Sequence, residues 1–595
     1  EQRLEYPGMR NGEGRYDAVQ PQRALQYMVQ ACQSGQLAAV GSPRASVESN
    51  YLLRCLVGPE NFYPGFSVQE QQLVDTALAL QQGSPASTPD IQSIESADAV
   101  LVLGEDVTNS AARIALALRQ SVRNKAYELA AELRLETWQD AAIRNLAQDQ
   151  RSPLFIAAVA DTRLDDIARD RFSLAPGDIA QLADAIAASI AGGGEPCAPA
   201  GLQKQVEEIA TVLAGAQRPL IISGTGTGSI EVMAAAARLA EALCSAGSET
   251  MLSLVVPEAN SLGQAMLAGP QANNLEQLTR RAEAGELGTL IVMENDLYRR
   301  GPAADIDRLL RNAGRVIVMD GLDNPTTSAS DLALPAASFA ESEGTLVSLE
   351  GRAQRHYPVF LPAAKRRASW VWLLACMREL ELPGVGGLQH FDDITAACAQ
   401  SIPALADIPS AAPDHLYRNA GVKIPRQPHR YSGRTAMRAD ISVHEPRQPR
   451  DEESPLAFSM EGLNGSQPGS LLPFVWAPGW NSNQSLHKFQ AEVGGHLKGG
   501  TAGVRLLSTG TTNPAPVPVP VPVPVPATHD NTTEPGSSPD QWQLVPRQSL
   551  FGSEELSDTS PGICELVDNG YIELRASDAA RINASEGDGI EVEGG

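Results

Sequence analysis

Long hydrophobic runs are missing from this chain of 595 residues: no apolar stretch is long enough to span a bilayer. No direct membrane span is therefore expected. A signal peptide is missing too, since the first residues are Glu1-Gln2-Arg3-Leu4-Glu5. No initiator Met stands there either, and the expectation is a piece of a longer product. Cysteine is scarce and scattered. Cys32, Cys55, Cys197, Cys244, Cys376, Cys398 and Cys564 contain no Cys-x-x-Cys pair and no iron–sulfur ligand set. The apolar neighbours of several of them predict buried thiols in a reducing compartment. The eight histidines all follow residue 350 and none has ligand spacing, so no metal site made by this chain alone is expected. Positive charge is short: 46 Lys and Arg stand against 71 Asp and Glu, a net charge of −25. That balance argues against broad binding to nucleic acid or anionic lipid. The basic clusters Lys365-Arg366-Arg367 and Arg426 to Arg430 are local, fitting a solvated surface or a contact with an acidic partner. No P-loop and no G-x-S-x-G elbow is present.

What is present is a globular composition, 43% hydrophobic and 20% charged. The length predicts two to four domains. Short apolar runs rich in branched residues recur at Leu37 to Val40, Ala99 to Leu103, Leu154 to Val159, Leu220 to Ser223, Leu252 to Val256, Thr289 to Met293 and Val316 to Met319. Each reads as a strand buried on both faces. Helical periodicity lies between them, as in Val47, Tyr51 and Cys55, or in Ile306, Leu309 and Leu310. Asp161 to Asp170 and Asp178 to Ile190 also read as helices. Strand–helix alternation over about 300 residues predicts an α/β fold of doubly wound, mostly parallel sheets.

Four places invite a chemical reading. Gly41-Ser42-Pro43-Arg44 joins a strand to a helix from about Ser46 to Val57, and such a junction can hold an anion on free backbone N–H groups. A plain βα turn is the preferred reading. Glu105 and Asp106 follow a strand as a carboxylate pair; before a helix such residues serve more often as caps and dipole partners. Gly224-Thr225-Gly226-Thr227-Gly228-Ser229 imitates a dinucleotide loop, but Ser229 stands where the third glycine belongs. A tight turn with close helix approach accounts for it. Gly65 to Glu70 is a loop with one hydroxyl, Ser67, and no cysteine.

The densest pattern runs from Gly314 to Gln354. Val316 to Met319 is closed by Asp320; Thr326 and Thr327 follow; then come Asp331-Leu332-Ala333-Leu334-Pro335, Glu341, Glu343-Gly344-Thr345 and Glu350-Gly351-Arg352-Ala353-Gln354. In this order the elements resemble the molybdopterin oxidoreductase fold. Within that superfamily they are similar to the family of large iron–sulfur subunits of bacterial NADH:quinone oxidoreductase (respiratory complex I). The resemblance implies two doubly wound lobes, the outer from residues 1–60 and 285–385, the inner inserted as 61–284. It implies an extended subunit-contact strap over 386–513, a Pro-Val polyproline linker over 514–541, and a truncated small β-barrel over 542–595, with strands at Tyr571 to Leu574 and Ile590 to Glu593. In molybdenum members a Cys, selenocysteine or Ser ligand lies a few tens of residues beyond the 46–57 helix. Cys55 sits within that helix, residues 56–196 hold no cysteine, and the corresponding loop, Gly65 to Glu70, offers only Ser67 as a ligand.

The resemblance therefore implies a retained fold whose metal chemistry is lost, with no catalytic, cofactor-binding or metal-binding residue in this segment. The 2Fe-2S and 4Fe-4S clusters that carry electrons from NADH towards quinone are expected in the missing N-terminal part. Expected partners are the NADH/flavin-binding and quinone-side subunits of the peripheral arm, on the cytoplasmic side of the bacterial inner membrane. The alternative is a bis-pterin molybdenum oxidoreductase of the formate dehydrogenase type.

Overall fold

The computed structural model describes residues 3–137, 139–192, 197–270, 272–416, 502–507, 542–567 and 570–590, with the strand residues 458–459 and 462–463. Three sequence expectations lie wholly or mostly outside the described residues: the strap over 386–513 beyond residue 416, the polyproline linker over 514–541 and the strand at Ile590 to Glu593.

Four strands come first: β1 (Gly8–Arg10), β2 (Tyr16–Ala18), β3 (Leu37–Val40) and β4 (Phe62–Tyr63). Five follow as an insertion: β5 (Ala99–Leu103), β6 (Leu154–Ala158), β7 (Asp170–Ser173), β8 (Pro219–Gly224) and β9 (Met251–Val255). The chain then returns through β10 (Thr289–Met293), β11 (Val316–Asp320) and β12 (Leu332–Pro335) to pair with the first set. The outcome is a seven-stranded outer sheet, β2-β1-β12-β11-β10-β3-β4, parallel from β12 to β4. Only β1 runs antiparallel, against both its neighbours. The inserted strands make a five-stranded inner sheet, β7-β6-β5-β8-β9, parallel throughout. Two mostly parallel, doubly wound sheets are thus observed, as the alternating pattern predicts.

Every residue of β5, β8, β10 and β11 is buried, because helices cover both faces of a parallel sheet. A polar residue inside such a strand needs a partner, and Ser223 donates its hydroxyl to the Leu103 carbonyl at 2.9 Å. On one face of the inner sheet the alanine-rich helices Pro176–Ala191 and Ile230–Ser245 pack side by side. One core runs without a break from Met28 and Ile317 in the outer lobe to Ile221 and Leu239 in the inner. Separate clusters lie on the far side of each sheet, around Ile222 and around Val318. The lobes therefore share a core. A hairpin, β13 (Gly344–Val347) with β14 (Arg352–His356), follows the outer sheet and gains Val504–Arg505 as a third strand. Its turn needs Gly351: φ is +68°, and a Cβ there would stand 2.4 Å from Leu507.

Two expectations need correction. Residues 161–170 form turns leading into β7, not a helix. β7 is an edge strand held by β6 alone, and its charged, mostly exposed residues hide the strand from any periodicity test. Between residues 112 and 147 the chain forms the helices Ala112–Ser121, Asn124–Glu132 and Asp140–Ala147. At the C-terminal end, Tyr571 to Leu574 is not a strand, and no barrel forms among the described residues of 542–590. Short helices stand there instead, at Glu555–Asp558, Pro561–Cys564 and Ala576–Arg581. A strand persists only with a paired neighbour, and no described residue pairs with this one.

Candidate functional site

Open parallel sheets bind ligands beyond the carboxyl ends of their strands, at the point where strand order reverses. The inner lobe has that point between β5 and β8, the outer lobe between β3 and β10. Both crevices are filled by the protein's own side chains.

In the inner lobe, β8 runs into Gly224-Thr225-Gly226, and Ser229 caps the helix Ile230–Ser245 by accepting from the Val232 N–H at 3.4 Å. A bound phosphate would take free N–H groups at such a turn. Here the Glu105 carboxylate takes them. Its Oε1 accepts from the Gly226 N–H at 2.6 Å, and its Oε2 from the Ser110 hydroxyl at 3.1 Å. A Cβ at Gly224 would stand 2.6 Å from Oε1, and one at Gly226 2.7 Å from Oε2. The glycines thus form a cradle shaped to a carboxylate. Glu105 is buried, and burial pushes its acid up to about 7 against the pull of the Gly226 N–H and the Ser110 hydroxyl. Of the expected capping pair, only Asp106 caps the short helix Val107–Ser110, accepting from the Thr108 N–H at 3.1 Å. Glu105 reaches across to the neighbouring strand's turn.

The outer crevice centres on Arg44. Its guanidinium donates to the Glu294 carbonyl at 2.8 Å and pairs with Glu555 at 2.7 Å and Glu554 at 3.5 Å. Burial opposes its charge, but Glu555, Asp320, Glu258 and Glu554 hold it firmly protonated. Asp320, at the carboxyl end of β11, is pushed up to about 7 by burial; Arg44 opposes the shift and Glu555 and Glu294 add to it. Glu294 rises by burial too, countered by the Ser369 hydroxyl and Arg44. Behind Arg44 the two loops are stitched together. The Asn295 amide donates to the carbonyls of Gly41 at 2.9 Å and Gly65 at 2.8 Å, while Arg300 donates to its oxygen at 2.9 Å. Gly65, at φ +86°, lies so close that a Cβ would meet the Gly41 carbonyl oxygen at 2.0 Å.

The remaining candidates are structural. Ser67 is the N-cap of the helix Val68–Gly83: its hydroxyl accepts from the Glu70 N–H at 3.1 Å, and Glu70 returns the contact to the Ser67 N–H at 3.0 Å. Cys55 lies on an exposed helix face. In the 314–354 pattern, Glu341 is gripped by Arg3, Ser338 and Arg366 and lies well below the usual carboxylate range, at about 2, although burial works against it. The Thr345 N–H donates to buried Glu48 at 2.9 Å, and Arg352 pairs with Glu350 at 2.9 Å. A Cβ at Gly344 would collide with Ser46 at 2.5 Å. Sequence reasoning missed Arg44, Glu294 and Asp320 as one cluster. The signal was their shared position just after strand ends; nothing local marked Glu555 as their partner.

Among the described residues no group of three or more His, Cys, Asp and Glu is placed to hold a metal ion. The glycine cradle holds Glu105, the outer crevice holds the Arg44 cluster, and the loop hydroxyl of Ser67 is a helix cap.

Comparison with known proteins agrees with this architecture. A family model described as molybdopterin oxidoreductase matches residues 3–375. The G subunit of NADH-quinone oxidoreductase from Pseudomonas fluorescens is 44% identical over 573 residues, 95% of this chain and 62% of that protein. The proteins of the same name from Pseudomonas putida and Escherichia coli K12 are 43% and 42% identical, each over 93% of this chain and 60% of theirs. The chain thus spans about three-fifths of the length of the curated relatives it matches. Since the matched region takes in both sheets and the hairpin after them, the chain belongs to the molybdopterin oxidoreductase family.

Proposed function

We propose that this chain is the pterin-fold region of the G subunit of an NADH-quinone oxidoreductase and serves there as a scaffold. The observation that carries the scaffold role is the buried Glu105 carboxylate seated on the Gly226 N–H, where a cofactor phosphate would need to bind. The likeness to G subunits at 42–44% identity supports the assignment to complex I. On this reading electrons pass through iron–sulfur clusters held outside this segment, and no catalytic residue lies within it. Its neighbours are the NADH/flavin-binding and quinone-side subunits of the peripheral arm, at the cytoplasmic face of the inner membrane. No helix among the described residues is long and apolar enough to cross a membrane. The units we assign are an outer lobe of 1–60 and 285–385, an inner lobe of 61–284, and contact and linker regions beyond.

The test is isolation of the native complex through a tag on the full-length protein, followed by metal and pterin analysis. The expected result is co-purification with NADH:quinone activity and no molybdenum, tungsten or pterin. Stoichiometric molybdenum with pterin would overturn the scaffold role in favour of a bis-pterin oxidoreductase. Recovery without any partner subunit would overturn the assignment to complex I.

A further inference from the structure

The segment 547–555 runs from loops of the inner sheet to loops of the outer sheet. At its inner-lobe end Arg547 donates to the Asp161 carbonyl at 3.2 Å and lies 3.8 Å from Asp106, and the Leu550 N–H donates to Asn109 at 3.1 Å. At its outer-lobe end Arg299 donates to the Ser553 carbonyl at 2.8 Å, and Glu554 and Glu555 pair with Arg44. Arg547 and Ser553 are close in sequence, yet the residues they contact follow strands of different sheets. Glu555 and Asp320 are both buried and share one donor: the Asn324 amide nitrogen stands 2.9 Å from Glu555 Oε1 and 3.1 Å from Asp320 Oδ2.

We propose that residues 547–555 form a latch that clamps the two lobes together, and that its docking takes up a proton at the carboxylates around Arg44. The charged groups facing Asp320 are Arg44 from the loop after β3, Glu294 after β10 and Glu555 from the latch, while Glu258 after β9 and Glu554 face Arg44. Glu258 has its own partner in Arg300 at 2.5 Å and Glu554 is exposed, but one guanidinium, Arg44, faces Asp320, Glu294 and Glu555, so the docked cluster is most stable with a carboxyl protonated. Asp320 fits the role, because burial first and then Glu555 and Glu294 raise its acid to about 7 despite Arg44. When the latch leaves, the Glu555 charge leaves with it and the Asp320 acid falls. The docked state therefore binds the extra proton between the ordinary carboxylate range and about pH 7. Docking weakens as pH rises through that window and is flat above it. This inference stands apart from the scaffold reading, since a latch of this kind can be present whether or not the protein performs chemistry elsewhere.

The experiment is hydrogen exchange by mass spectrometry on the intact protein in its complex, with rates over 545–560 corrected for intrinsic pH dependence. The wild-type latch is expected to lose protection between pH 5 and 7, by at most about tenfold per pH unit for one proton. Asp320→Asn should keep the latch protected and remove that slope. Glu555→Ala should expose the latch at both pH values, and Arg547→Ala, a change at the surface end, should do so without disturbing the outer crevice. Wild-type protection that is flat with pH, or a slope that survives Asp320→Asn, overturns the proton coupling. Protection that survives both Glu555→Ala and Arg547→Ala overturns the latch itself.

Discussion

The two crevices are closed by different means. The inner one is sealed by a single side chain from the adjoining loop: Glu105 lies just past β5 and reaches the turn just past β8. The outer one is sealed by a charge cluster whose members come from four strand ends and from residues 554 and 555, far along the chain. The first closure stands on local topology, because neighbouring parallel strands bring their following loops together automatically. The second stands on tertiary structure, because nothing brings Glu555 to Arg44 except the folded path of the chain between them. The ends of parallel strands can therefore be covered by the chain's own side chains by either route.

Arg44→Ala separates the two closures most severely. It strands Asp320, Glu294 and Glu555 without their cation, and a loss of about 3–5 kcal/mol in urea unfolding is expected, as for one partner removed from a buried ion pair. A loss below about 1 kcal/mol would show that water already reaches the cluster. Gly65→Ala tests the backbone seam beside it. The left-handed φ and the 2.0 Å approach to a backbone oxygen leave no room to relax, so about 3 kcal/mol or more is expected. Gly226→Ala in the inner crevice meets only the movable end of Glu105, so its cost should be smaller, about 1–2 kcal/mol, and Glu105→Ala in the same chain should relieve part of it.

A pH series isolates the inner closure. The acid of Glu105 is raised in the folded state, so the fold binds the extra proton and stability falls as pH climbs from the ordinary glutamate range to about 7. That fall is at most about 3 kcal/mol. Glu105→Gln should flatten this part of the profile, read as the urea midpoint between pH 4.5 and 8. An unchanged slope would place the titration elsewhere. The smallest effect belongs to Ser67→Ala, about 1 kcal/mol for a lost N-cap with no change in metal content. A change in bound metal would instead return Ser67 to the role of ligand.

Much of the architecture was readable from residues alone. The apolar runs at 99–103, 220–223, 289–293 and 316–319 recur as fully buried strands, since only a two-sided burial favours so many branched residues in a row. The helix after Ser46 starts where a capping hydroxyl allows it, with Ser46 accepting from the Ser49 N–H. β7 was not readable: its charged, exposed residues pair through backbone alone. The expected strand at Tyr571 had the right residues but no described neighbour to pair with.

The site divides along the same line. Residue order alone puts glycines, carboxylates and an arginine just beyond strand ends, with no cysteine or histidine cluster among them. It also excludes a regular dinucleotide turn, because Ser229 replaces a glycine. The folded chain was needed to seat the carboxylate of Glu105 in the glycine cradle and to close Glu555 on Arg44. The reason is that periodicity and propensity are properties of neighbours along the chain, whereas buried charge is settled by whichever counter-charge the fold carries into the same low-dielectric space.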